Sequence, residues 1–257
     1  MSAREAPLDP ALFAEGPARD GRFTVKERWR ECDNLPEGHP EKEIEFLHRQ
    51  MNEEVNGLEN SARCLADFPE ADWELRMHIA RQCADEARHV LMFRRVYERR
   101  GGRIGRYPVL NFQYRIIARI DHLIGRLAVQ NRTFEAEGID AIRAGVDESR
   151  ARGDGELEDL FDAQLADEIT HVRFANAWIR RRVKEEPRNA LLIARSVAEA
   201  AKAFNQVIGD EGQTGVRYQV AREVRLEAGF LPDEVRIADE AVKARRLGCE
   251  SGRQAGG

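Results

Sequence analysis

The segments ADEARHVL (residues 84–91) and ADEITHVR (residues 166–173) write nearly the same phrase twice, and their shared Asp-Glu-x-x-His constrains the fold more than any other feature of the chain. Glu86 and His89, like Glu168 and His171, stand three positions apart. On an α-helix that spacing brings both side chains to one face, near enough to hold one ion, so each phrase offers half of a metal site. Both glutamates also sit on apolar stripes, Glu86 between Cys83 and Val90 and Glu168 between Leu165 and Val172. A carboxylate on a buried stripe is costly unless it is paired or bound to a cation.

The surrounding periodicity is helical. One stripe runs Leu47, Met51, Val55, Leu58, Ala62, Leu65 and ends at DFPEAD; a second runs Leu75, Ile79, Cys83, Ala87, Val90, Phe93, Tyr97 and ends at Gly101-Gly102. A third helix, expected to be the longest, is read as continuous from about Phe112 through Ile116, Ile120, Leu123, Ile124, Leu127, Phe134, Ile139 and Ile142 to Gly145. After the expected loop DESRARGDGE, a fourth carries Leu157, Leu160, Phe161, Leu165, Ile169, Val172, Ala175 and Ile179, ending before Pro187. No strand pattern competes. Four amphipathic helices of this length imply an all-α four-helix bundle.

Helices one and three place acids on the same buried lines. Glu54 lies on the line of Leu47, Met51 and Leu58, and Glu135 on that of Leu127, Asn131, Gly138 and Ile142; each is followed three residues on by a glycine, Gly57 or Gly138, which leaves room for a neighbouring helix or a substrate. Glu53 and Glu59 are the other helix-one candidates; Glu137 falls off the buried line. The separations are similar, 32 residues from Glu54 to Glu86 and 33 from Glu135 to Glu168, and Glu53 would give 33 as well. Two helical hairpins each supply a Glu and then a Glu-x-x-His. Four carboxylates and two imidazoles in a bundle core form the ligand set of a dinuclear iron or manganese centre. His48, His78 and His122 lie too many turns away to join it, and His39 falls in a proline-rich segment.

In this wording the chain resembles the ferritin-like superfamily of di-iron carboxylate proteins, and FEAEGID with DEITHV is similar to a bacterial ferritin-like family of unknown function. The resemblance covers roughly residues 45–182. It implies a ferritin-like bundle in which Asp85 accepts a hydrogen bond from His171 and Asp167 from His89, fixing each ligand ring. It also implies two iron ions, with manganese as the other candidate, and dioxygen as co-substrate. The expected activity is that of an oxygenase or oxidase on a small organic substrate, with ferroxidase or manganese-catalase chemistry as the alternatives. Leu58, Val90, Phe134 and Val172 are candidate pocket residues, with Arg88 and Arg173 as candidate anion partners.

Four regions are expected: a proline-rich extension over 1–40 with a short helix around TVKERWREC, the bundle over 41–185, additional helices packed on it over 186–247, and a flexible tail over 248–257. The 257 residues suffice for one substantial core, and 42% hydrophobic with 34% charged residues is the composition of a foldable soluble chain. No apolar run approaches the roughly 20 residues a membrane span requires. The N-terminus lacks a secretion pattern, so a cytoplasmic location is expected. Cys32, Cys64, Cys83 and Cys249 form no Cys-x-x-Cys pair, which argues against a disulfide framework, a thiolate metal site or a rubredoxin-type module. A net charge of −5 gives no polyanion-binding footprint, so nucleic acid is not an expected partner. The absence of a flavin or iron–sulfur motif assigns reduction to an external donor or the substrate. A homodimer is the default oligomer.

Overall fold

The structure, a computed structural model, describes residues 20–213 and 218–254. It is mostly helical. Two compact units divide the chain, Met1–Arg126 with Leu191–Gly212 and Leu127–Ala190 with Gln213–Gly257.

In the first unit, α1 (Lys42–Asp67) and α2 (Trp73–Arg99) form a hairpin. Pro69 ends the first helix, and Gly101 at φ 85° lets the chain leave the second. Leu47, Met51, Leu75, Ile79, Phe93, Val96 and Tyr97 are buried. The inward face of α1 is also rich in asparagine: Asn52 and Asn56 both donate to the carbonyl of Leu110, at 2.6 and 3.4 Å. Leu110 belongs to β2 (Val109–Leu110), which pairs in parallel with β1 (Val25–Lys26). These two-residue strands, and a 3-10 turn at Trp29–Glu31, replace the short helix expected around TVKERWREC. Residues 1–19 of the expected extension lie outside the described residues.

The long third helix is the main correction. It consists of α3 (Phe112–Ala118), α4 (Leu123–Val129), a π-helical turn at Gln130–Phe134 and α5 (Glu135–Arg152). Apolar residues keep their period across the first break, which hides it from the sequence. Two polar side chains make it. His122 Nδ1 accepts from the Gly125 N–H at 3.0 Å, a cap that starts α4, and the Arg126 Nε donates to the Ile120 carbonyl at 2.8 Å. The boundary between the units falls within α4.

In the second unit, α5 forms a hairpin with α6 (Gly155–Glu185), whose 31 residues make it longer than any part of the interrupted third segment. The expected loop DESRARGDGE is mostly helix. Only Gly153, at φ 70°, and Asp154, which accepts from the Leu157 N–H, make the turn. Ile139, Ile142, Val146, Leu157, Leu165, Val172, Ala175 and Ile179 form the core.

C-terminal to these lie α7 (Asn189–Gln213), interrupted at Gly209, then α8 (Arg222–Glu227) and α9 (Pro232–Gln254). Helix α8, absent from the sequence expectation, is held onto α5 by the buried Arg225 guanidinium, which donates to both Asp140 oxygens at 3.0 and 2.6 Å. In the first unit, α7 stacks Phe204 edge-on to Phe112 with ring centroids 5.6 Å apart. Helix continues to Gln254 in the segment expected as a tail; residues 255–257 lie outside the described residues. No helix among the described residues is long and apolar enough to cross a membrane.

Candidate metal centre

Each unit gathers a buried triad of two carboxylates and one imidazole. In the first, Glu54 of α1 and Glu86 and His89 of α2 present ligand atoms within 4.8 Å of one another. His89 Nδ1 lies 3.1 Å from Glu54 Oε2 and 3.3 Å from Glu86 Oε2. Glu54 is buried, whereas Glu53 and Glu59 are only half-buried and outside the triad. Gly57 makes the close approach possible. A Cβ there would fall 2.9 Å from Glu86 Cδ and 3.0 Å from its Oε1, so only a bare backbone admits the carboxylate beside α1.

In the second unit, Glu135 of α5 meets Glu168 and His171 of α6, again with ligand atoms within 4.8 Å. His171 Nδ1 lies 3.4 Å from Glu168 Oε2. Glu135 follows directly on the π-helical turn, which aims two carboxamides at it: Gln130 Nε2 donates to Oε1 at 3.0 Å and Asn131 Nδ2 to Oε2 at 2.8 Å. Asn131 Nδ2 also reaches the His171 carbonyl at 3.4 Å. A π-bulge of this kind is frequently found at a functional site, because the extra residue re-aims side chains that a regular helix would point elsewhere. Gly138 does not repeat the role of Gly57, since a Cβ there would meet nothing within 4 Å among the described residues.

The donor set fits the metals expected from it. Carboxylate oxygens and imidazole nitrogens without a thiolate suit iron or manganese. One divalent ion per triad would offset the cost of burying its two carboxylates. In both triads it is Nδ1 that faces the acids, which leaves Nε2 as the nitrogen for a supporting acceptor.

The supporting residues are placed unevenly. Asp85 is buried, and the Arg81 Nε approaches its two oxygens at 2.9 and 2.8 Å; Asp167 is half-buried. Val172 is fully buried, and Leu58, Val90 and Phe134 are half-buried. Arg88 and Arg173, the candidate anion partners, are exposed. Arg88 Nη1 lies 3.9 Å from Met92 Sδ, and Arg173 donates to the carbonyl and carboxylate of Glu227 at 2.9 and 3.2 Å. Among the described residues, His48, His78 and His122 are outside the triads.

Four carboxamides went unrecognised in the sequence. Gln82, buried, donates to Glu86 Oε1 at 3.4 Å, and Gln164, four residues before Glu168, is buried as well. Their signal was visible: the repeated phrase begins two residues earlier, as QCADEARHV and QLADEITHV. Asn131 stands on the buried line four residues before Glu135, the same spacing, whereas Gln130 carried no such signal, because it is the π-helical turn that directs it.

A family model described as "Protein of unknown function (DUF455)" matches residues 3–236, spanning both triads. The chain belongs to the DUF455 family. No curated protein and no solved structure matches it. In this DUF455 chain the matched span also contains Asp140 and Arg225, so it covers the docking of α8 as well as the acid-rich hairpins.

Proposed function

We propose that the two triads are the halves of one dinuclear iron centre, with α1, α2, α5 and α6 as the four helices of a ferritin-like bundle. The chain would then be an oxygen-dependent oxidoreductase, an oxygenase or oxidase acting on a small organic substrate. The observation that carries this reading is the doubled triad: each unit buries two carboxylates and one imidazole on a helix hairpin, with ligand atoms within 4.8 Å.

When bound, two ferrous ions supply the electrons and the open coordination positions needed to activate dioxygen. The chain's own residues do the rest. Glu54, Glu86 and His89 would hold one metal and Glu135, Glu168 and His171 the other. Gln130 and Asn131 each occupy one lone pair of Glu135 and leave the others for metal. Gln82 orients Glu86. Asp85 and Asp167 are proposed to accept from the Nε2–H groups of His171 and His89, which raises ligand basicity. Burial of all six side chains would keep bulk water away from the centre they form.

Elemental analysis of purified protein, followed by anaerobic loading with ferrous iron and measurement of oxygen uptake, tests the proposal. The expected result is about two irons per chain, with uptake that rises when a substrate is added. Stoichiometric manganese with peroxide turnover would redirect the reading to catalase chemistry, and iron oxidation with retention of the product and no substrate effect to ferroxidase chemistry. No stoichiometric metal, with Glu86→Ala and Glu168→Ala lacking consequence, would overturn it.

A further inference from the structure

A file of buried aromatic rings leads away from the triad of the first unit. His89, Phe93 and Tyr97 stand four positions apart on α2, so they share one face of the helix, each about 6 Å further along its axis than the last. All three are fully buried. The Tyr97 ring lies 5.2 Å from the His48 imidazole, and the Tyr107 ring lies edge-on to the same imidazole at 5.9 Å. Tyr107 is buried too, but its hydroxyl donates at 3.0 Å to Oε2 of Glu41, whose side chain is 40% exposed. The file therefore starts at a candidate metal ligand and finishes at a carboxylate in contact with water.

The two tyrosines differ in where a proton can go. Tyr97 donates to the Arg103 carbonyl at 2.7 Å, an acceptor that cannot take the proton. Tyr107 donates to a carboxylate, which can. Burial and the Glu41 carboxylate push the Tyr107 phenol up to about 12, so it carries its proton at neutral pH. The Arg106 guanidinium sits 5.4 Å from the centre of the Tyr107 ring and opposes a positive charge there. An electron can therefore leave Tyr107 only as its proton moves to Glu41, and that partner is in place.

We propose that Tyr107 is a redox-active tyrosine that passes electrons from an external reductant to the metal centre, with Glu41 as its proton acceptor and Tyr97 and His48 as the bridge. The inference rests on the metal reading above. In the first step the oxidised centre gains one electron, the Tyr107 O–H bond breaks, the proton goes to Glu41, and a neutral phenoxyl remains. In the second, a one-electron reductant such as ascorbate returns an electron to the phenoxyl, which takes the proton back from Glu41; ascorbate leaves as its radical. Each cycle moves one electron inward and leaves both residues as they began. The route lets a centre excluded from water be reduced by a donor that never reaches it.

The full chain, loaded anaerobically with ferrous iron, exposed to oxygen without substrate and freeze-quenched, tests the proposal by electron paramagnetic resonance. A tyrosyl radical is expected, with hyperfine structure that narrows when the tyrosines are ring-deuterated. Tyr107→Phe should abolish it, and Tyr114→Phe should leave it intact. Glu41→Gln keeps an acceptor oxygen but cannot hold the proton, and should slow radical formation by about 100-fold, the usual scale of a lost proton acceptor. In Tyr107→Phe the return of the oxidised centre to the ferrous state by ascorbate should slow at least about tenfold, equivalent to about 1.4 kcal/mol on the barrier. Circular dichroism and iron content should be unchanged in all three variants. Iron that oxygen oxidises without any tyrosyl radical, a radical that survives Tyr107→Phe, or a Glu41→Gln chain as fast as the wild type would overturn this inference and leave the metal reading standing. A chain that binds no metal would overturn both.

Discussion

At the scale of single residues, the acids are told apart by what surrounds them. Glu53, Glu54 and Glu59 share one helix, yet only Glu54 is both buried and within reach of an imidazole. Its place on the apolar line and the glycine three residues on were legible in the sequence; the reason the glycine matters, the Glu86 carboxylate lying against it, required the neighbouring helix. Glu135 is held differently, by two carboxamides at 2.8 and 3.0 Å. Asn131→Leu keeps the volume and removes a donor. It is expected to lower metal affinity about 10- to 100-fold, the usual effect of losing a support of this kind, while far-ultraviolet circular dichroism stays the same. A metal-binding titration with ferrous or cobaltous ion reads this directly, and unchanged affinity would show that Asn131 does not position Glu135.

At the scale of elements, two glycines with the same apparent motif have opposite roles. Replacing a mid-helix glycine with alanine ordinarily stabilises a helix by about 0.5–1 kcal/mol. Gly138→Ala should show that gain, because a Cβ there meets nothing within 4 Å among the described residues. Gly57→Ala should lose it and more, since its Cβ would sit 2.9 Å from Glu86 Cδ, and it should also weaken metal binding. Denaturant unfolding of the metal-free proteins, with metal titration of each, separates the two; equal stabilisation by both substitutions would show that α1 and Glu86 are not in limiting contact. The interrupted third segment carries a similar lesson. A stripe that keeps its period across Ile116, Ile120 and Leu123 reads as one helix, but the backbone turns where the His122 imidazole caps α4 and the Arg126 guanidinium takes the carbonyl of Ile120.

At the scale of the whole molecule, segments far apart in sequence are fastened by a few buried polar groups. His48 is fully buried in the first unit between Phe23, Tyr97 and Tyr107, whose ring centroids lie 5.5, 5.2 and 5.9 Å from its own, and its Nε2 accepts from the Gly105 N–H at 2.9 Å. Burial holds the imidazole neutral and pushes its pKa down from 6.5 to about 4, against a weaker opposing pull from Glu45. The unfolded chain binds the proton more readily, so this group's stabilisation is fully present above pH 6.5 and lost as pH falls through that value toward 4. Its full size is roughly 3 kcal/mol. His48→Gln should therefore flatten the dependence of unfolding free energy on pH between those limits, whatever it costs in absolute stability. An unaltered slope in chemical denaturation would show that His48 is not the group responsible.

The sequence by itself determined the helices that carry the two Glu-x-x-His phrases, the phase of all four buried glutamates, and the pairing of helices into two hairpins. These are properties of local geometry: a three-residue spacing on a 3.6-residue turn decides which side chains share a face before any partner is chosen. Tertiary structure alone decided what depends on a neighbour's position. It aimed Gln130 through a π-helical turn, left Arg88 and Arg173 exposed, and broke the third segment at His122. It also docked α8 through Asp140 and Arg225, residues 85 positions apart. The physical reason is common to all four. A side chain's direction follows from its own backbone, whereas its partner follows from where the rest of the chain has been packed.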